Sequence, residues 1–401
     1  MAKVGTFRRL RCRNVRREPT EAAKSPGEST PPPAPLRSTH SDTFAKLLEH
    51  AGISVLVSTY QAGRLIVLRS TGGVVNTHFR AFDVPMGLAF RNHRLALSTR
   101  CMVWELGNYP QAGAAMPSGV EGATHDACFI PNRGHVTGDL RTHEIGWGEE
   151  GLWLVNTRFS CLCTLASDSS FVPRWRPKFV SKLSDEDRCH LNGMAMVDGR
   201  PGLVTVLGQT DTPQGWRPEK TSGGCLIDVS SERVLADGLC MPHSPRLHNG
   251  RLWLLESGKG TLSVIDREGA KPRLVAELPG FTRGLAFWDR YAFVGLSQVR
   301  EKYFSGLPIT ERFMPEERKC GVWVVDLTTG RIVAMLEFLT GVQEIFDVLV
   351  LRGIRFPEVV DLTMPQLAST YVLPDEVLPE VAPARPSPKE GENGPEKIET
   401  K

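Results

Sequence analysis

Three histidines stand next to groups that can do chemistry with them. His143 precedes Glu144, His190 lies two residues before Asn192, and His243 precedes Ser244. Arg283 and Glu344 hold comparable positions farther along the chain. An imidazole beside a carboxylate can serve as acid and base on a bound molecule, which makes His143, Glu144, His190, Asn192 and His243 the candidate catalytic groups. Imidazole, carboxylate and amide oxygen together also suit one divalent metal ion, softer than calcium where two histidines take part. Glu144, Asn192 and Glu344 are the candidate ligands, and the ion would polarise a carbonyl or activate water. Arg283 is a fixed cation that opposes a bare metal ion but clamps a carboxylate or phosphate. An anionic substrate bridging Arg283 and the metal reconciles the two. The bland alternative is that these polar groups are hydrogen-bonded plugs that fill a channel.

Residues so far apart meet only if a repeated architecture gathers them. Six segments share one shape, a polar or special residue, a pivot and two apolar residues: "PMGLAF", "HEIGW", "LNGMAM", "HSPRLH", "TRGLAF" and "QEIFDV". They recur about every fifty residues, the period of propeller blades. Tight turns lead from them into second strands such as "GLWLVNTR" and "RLWLLESG", then third strands such as "CLCTLA" and "VWVVDL", then ragged fourth strands such as "RIVAMLEF". Short strands separated by Gly, Asn and Asp turns form antiparallel meanders. The strand-patterned region opens with "SVLVSTYQ", "RLIVLRS" and "VVNTHFRAF", which match second to fourth strands, and closes with "EIFDVLVL", a first strand without successors. The fold expected is therefore all-β, a six-bladed β-propeller of four-stranded antiparallel blades, closed by pairing N-terminal strands with the C-terminal strand.

In such a ring the first strands line the axis, and the loops leading into them share a face with the loops after second strands. The second set adds Thr59, Gln61, Arg100, Thr157, Arg158, Gln209, Asp211, Gln298 and Arg300. These, apart from Thr157, are candidate ligand-binding residues together with Arg283 and Glu344. Two long insertions, "QTDTPQGWRPEKTSGG" and "QVREKYFSGLPITERFMPEERKC", fall on the same side, and loops of this length are often functional covers. A third long connection, "GNYPQAGAAMPSGVEGATHDACFIPNRGHVTGDL", is expected to bring His125 and Asp126 near the same ring. Trp153, Trp253 and Trp323 sit in strands and should pack between blades. Cys161 and Cys163, two apart on one strand, should share a core face.

Composition narrows the function classes. The chain has 401 residues, 41% hydrophobic and 23% charged, with a net charge of +3. That is no polycation, so nucleic acid is not the expected partner. No apolar run is long enough to span a bilayer. Nine scattered cysteines without zinc-ribbon pairs point to reduced thiols and a cytoplasmic setting. Residues 1–42 form a basic, Pro-rich arm and 363–401 a Pro-rich charged tail, both expected to be disordered, around a propeller over 43–362. The helical pattern "DTFAKLLEHAG" opens the propeller, with its aspartate as cap.

The stretches "EDRCHLNGMAMVDGRPG", "TDTPQGW", "MPHSPRLHNGRLWLLESG", "LPGFTRGLAF" and "CGVWVVDL" resemble a family of bacterial conserved hypothetical proteins with a domain of unknown function. More remotely, "LNGMA" and "TRGLA" are similar to inner strands of the gluconolactonase and strictosidine-synthase superfamily. That resemblance implies a six-bladed propeller and, in its metal-dependent members, an ion held by inner-strand Glu, Asn and Asp, for which Glu144, Asn192 and Glu344 correspond here. Met86, Ser244 and Arg283 stand where that pattern has room for further ligands. Two functions of different class follow: a small polar, anionic ligand bound at the channel mouth, with a metal-assisted hydrolase or lactonase-like activity, or a non-catalytic scaffold that binds a protein on the same face.

Overall fold

A computed structural model describes residues 36–265, 271–298 and 305–381. Six antiparallel sheets of at least four strands follow one another around an axis, and we number them as blades one to six in chain order. Blade one joins the two ends of the propeller: Asp347–Arg352 is innermost, followed by Ile53–Thr59, Arg64–Thr71 and Val74–Ala81. Val55 faces Val350 on one side and Leu68 on the other. Every residue of Ile53–Thr59 is buried, because this strand is covered on both faces by neighbouring blades. Burial of a Val or Leu side chain contributes roughly 1.5–3 kcal/mol, so Val55, Leu56 and Val57 hold the seam shut largely by packing.

The inner strands of the other blades are Leu88–Arg91, Thr142–Gly148, Leu191–Val197, Pro242–His248 and Phe281–Trp288. Trp253 and Trp323 fill the space between blades five and six, in contact with Leu285 and Phe287. Trp153 packs against the core of blade four, and Cys161 and Cys163 are buried together. Among the described residues every cysteine is a free thiol and seven are buried. No described helix is long and apolar enough to cross a membrane.

Three details differ from the sequence expectations. Arg37–His40, expected within the arm, forms a fifth strand on the outer edge of blade six by pairing with Arg331–Thr340. Covering an open edge is a tertiary effect that local composition does not register. The long connection after blade two's third strand contains its fourth strand, Ala127–Val136, to which Pro357–Val359 adds in parallel. A third-to-fourth connection leaves from the end of the blade opposite the inner-strand starts, so His125 and Asp126 lie away from the expected ring. His125 is buried beside Arg69, and Asp126 accepts the Arg355 and Phe356 amides. The helix Asp42–Ala51 forms as expected, but Ser41 is the capping position and makes no side-chain cap bond. Asp42 instead sits in the first turn, where its charge favours the helix dipole. Gly52 ends the helix at φ 64°, a left-handed turn that suits glycine.

Candidate functional site at the channel mouth

Neighbouring inner strands splay apart and do not pair as one sheet, so their leading backbone groups need other partners. A Ser or Thr at or just past the end of the second strand of one blade supplies them. Ser58 donates to the Met86 carbonyl, Thr157 to Leu191, Ser257 to Thr282 and Ser297 to Ile345. Deeper in the axis, inner-strand side chains do the same work. Glu144 accepts the Met194 amide, Asn192 donates to the Pro242 carbonyl, Ser244 accepts from Gly284, and Asp347 accepts from Leu88.

Two of the hydroxyl latches also fix a histidine. Thr157 Oγ1 lies 2.7 Å from His143 Nδ1, and Ser257 Oγ lies 2.8 Å from His243 Nδ1. Each hydroxyl proton is committed to a carbonyl, at 2.6 Å in both cases, so the oxygen accepts and Nδ1 must carry the ring proton. The same Nδ1 is 3.0 Å from a second acceptor, the carbonyl of Arg141 or of Met241 two residues earlier. Both of those residues adopt φ 49°, which turns their carbonyls back toward the ring. Burial, reinforced by the Arg283 charge, holds both imidazoles well below their usual range, and they are neutral at pH 7. Nε2 is then a lone-pair acceptor with no protein hydrogen bond among the described residues.

His190 is placed differently. Leu191, not His190, takes the position equivalent to His143, as the latch from Thr157 shows. His190 sits one residue earlier at φ 50°, and Asp187 at φ 49° folds its carboxylate back to within 2.9 Å of His190 Nδ1. Arg188 braces this turn by pairing with Glu186 and Asp211. The result is an oriented acid–base dyad: the carboxylate accepts a hydrogen bond from Nδ1–H, which leaves Nε2 as the base.

The three rings lie together. Ring centroids are 4.9 Å apart for His143 and His190 and 6.4 Å for His143 and His243, the latter pair nearly parallel at 23°. They line a cavity of about 290 Å³ at the mouth of the axis, walled by Trp216, Phe281, Phe346 and Met241 among others. Trp216 comes from the first of the long insertions and lies against His190 at 4.5 Å. Arg283 lies 3.7 Å above the Phe346 ring and 3.6 Å from Glu344. Burial lowers its pKa while Glu344 opposes the shift, and a guanidinium stays charged throughout. The lining carries three arginines, Arg141, Arg217 and Arg283, against two acids, Asp187 and Glu344.

Of the residues singled out in the sequence, the cavity gathers His143, His190, His243, Arg283, Glu344, Gln61 and Gln298. Glu144 and Asn192 do not line it. Glu144 is occupied by Met194 and by Arg246 at 3.0 Å, and Asn192 by Thr205 and Pro242. Their donor atoms are already used, which takes them out of the metal set proposed with Glu344. Among the described residues no group of three or more His, Cys, Asp or Glu is placed to hold a metal ion. Thr59 bonds to the Arg64 backbone, Arg100 pairs with Asp83, Arg158 pairs with Asp139, and Asp211 braces Arg188. Gln209 is exposed outside the cavity, and Arg300 lies outside the described residues. Arg246, unnoticed in the sequence, occupies the axis below the cavity between Glu144 and Asp347. Burial pushes the Asp347 carboxyl up to about 7, with Arg246 opposing and Glu144 reinforcing the shift. The cue for Arg246 was in "HSPRLH", where an arginine takes a place that is apolar in most other repeats.

Comparison with known proteins places a family described as "Domain of unknown function (DUF4915)" over residues 42–360. No curated protein matches the chain. Among solved structures, a chain of the "Crystal structure of Nidogen/Laminin Complex" is similar with a TM-score of 0.48 and 10% identity, covering 75% of this chain and 99% of that one.

Proposed function

The chain belongs to the DUF4915 family, and for it we propose the binding of a small anionic molecule, carrying a carboxylate and an apolar or aromatic body, in the mouth cavity. The observation that carries this is Arg283, a partly buried guanidinium laid on Phe346 in a wall that also holds Tyr60, Trp216 and Phe281 and where arginines outnumber acids. With His143 and His243 neutral, the lining has a net positive charge that an anion offsets. Ligand pockets usually span about 300–1,000 Å³, so a cavity of about 290 Å³ suits a molecule of the smallest size class. Trp216 and Phe346 offer flat faces for its body, and the Asp187–His190 dyad is the group positioned to exchange a proton with it. The test is calorimetric titration of phenylacetate and succinate into the wild-type protein and Arg283→Met. Saturable binding that the variant loses by about tenfold or more supports the proposal, since a charge-assisted hydrogen bond contributes roughly 1.5–3 kcal/mol. Absence of binding to the wild type, or equal binding to both proteins, overturns it.

A further inference from the structure

We infer that the two locked histidines select for uncharged hydrogen-bond donors, so that the molecule held by Arg283 is a hydroxylated carboxylate. This rests on the proposed function and specifies its ligand. In His143 and His243 the ring proton is fixed on Nδ1 by two acceptors each, a backbone carbonyl and a hydroxyl whose own proton is spent. Both rings line the cavity, and Nε2 of each has only a lone pair to offer. An oxyanion placed there meets a lone pair and is repelled, whereas a hydroxyl donates to it. The same tautomer in two blades, built from Thr157 in one and Ser257 in the other, gives two such acceptors on nearly parallel rings with centroids 6.4 Å apart.

Arg283 offers only donors and the two rings offer only acceptors to the cavity, which divides the labour between them. Arg283 takes the carboxylate, and the imidazole pair takes hydroxyl groups on the same molecule. A carboxylate lacking hydroxyls would leave both Nε2 acceptors desolvated and unsatisfied, which is the costly half of hydrogen-bond energetics.

The experiment compares matched pairs by calorimetry: mandelate against phenylacetate, which differ by one hydroxyl, and tartrate against succinate, which differ by two. The wild-type protein should prefer the hydroxylated member by about three- to tenfold per hydroxyl. The variants are His143→Asn, His243→Asn and the pair combined. Asparagine keeps an N–H near the Nδ1 position, to bond the Arg141 or Met241 carbonyl, and removes the group at Nε2. In the double variant the hydroxyl preference should vanish, with phenylacetate and succinate gaining affinity because no buried acceptor is left unsatisfied beside them. Equal affinity within each pair in the wild type overturns the inference but leaves carboxylate binding intact, as does a preference that survives in a folded double variant. If none of the four probes binds, the proposed function falls and the inference with it. The wild-type comparison stands alone should the variants fail to fold.

Discussion

Replacing His143 and His243 together by asparagine should flatten the acid side of the stability profile. In the unfolded chain both imidazoles titrate at about 6.5. In the folded protein burial and Arg283 hold both well below that value. The unfolded state therefore binds more protons below about pH 6.5, and stability falls as pH falls. From pH 7.5 to 5.5 the unfolded state gains about 1.4 kcal/mol for each histidine that stays neutral in the fold, or about 3 kcal/mol for the pair. Asparagine does not titrate, and every other ionisable group is common to both proteins, so most of that difference should appear between them. Equilibrium urea unfolding at the two pH values reads it directly. The wild type should lose about 3 kcal/mol more than the double variant on acidification. Parallel losses would show that the rings protonate inside the fold, and the locked neutral tautomers would be refuted.

Asp347 works in the opposite sense. Its folded pKa is raised to about 7 from an ordinary 3.8, so its contribution is full below about 3.8 and is lost as pH rises through about 7. Asp347→Asn should therefore remove a decline in unfolding free energy between about pH 4 and about pH 7, and an unchanged decline would contradict the burial assigned to that carboxyl. Ser257→Ala strips the Thr282 carbonyl and His243 of a partner at once and should destabilise by about 1–3 kcal/mol, while Ser257→Thr should restore most of it; equal urea midpoints for all three would show that the latch does not matter. Arg188→Met should loosen the Asp187–His190 turn, seen as faster proteolysis between residues 181 and 190 with the rest of the chain resistant. Deleting residues 346–401 removes the innermost strand of blade one, and circular dichroism and gel filtration should show loss of the folded state; a compact β-rich product would contradict closure by the two chain ends.

The architecture was open to sequence reasoning because propeller strands carry a period and turns carry a residue code. The unmatched fragments "SVLVSTYQ" and "EIFDVLVL" specified the closed seam, now seen as Ile53–Thr59 against Asp347–Arg352. The histidines were found for the same reason, since each leads an inner strand. What the pattern could not convey was the side-chain assignment within the axis. His143 and Glu144 are adjacent, and alternation along a strand sends one to the cavity and the other to Met194 and Arg246. His190 was displaced by one residue because the turn before it runs through φ 49° and 50° at Asp187 and His190, a local geometry with no periodic signature. Ser257 was missed because a serine after a strand is common. Its role depends on a carbonyl in the next blade, 25 residues away in sequence.

The most direct measurement is nitrogen-15 NMR of histidine-labelled protein, with His143→Asn and His243→Asn supplying the assignments. At pH 7 and again at pH 5.5, both rings should show a protonated Nδ1 and a bare Nε2, without conversion to imidazolium. A proton on Nε2 at pH 7, or an imidazolium signal by pH 5.5, would contradict the acceptor pair on which the cavity's selectivity depends.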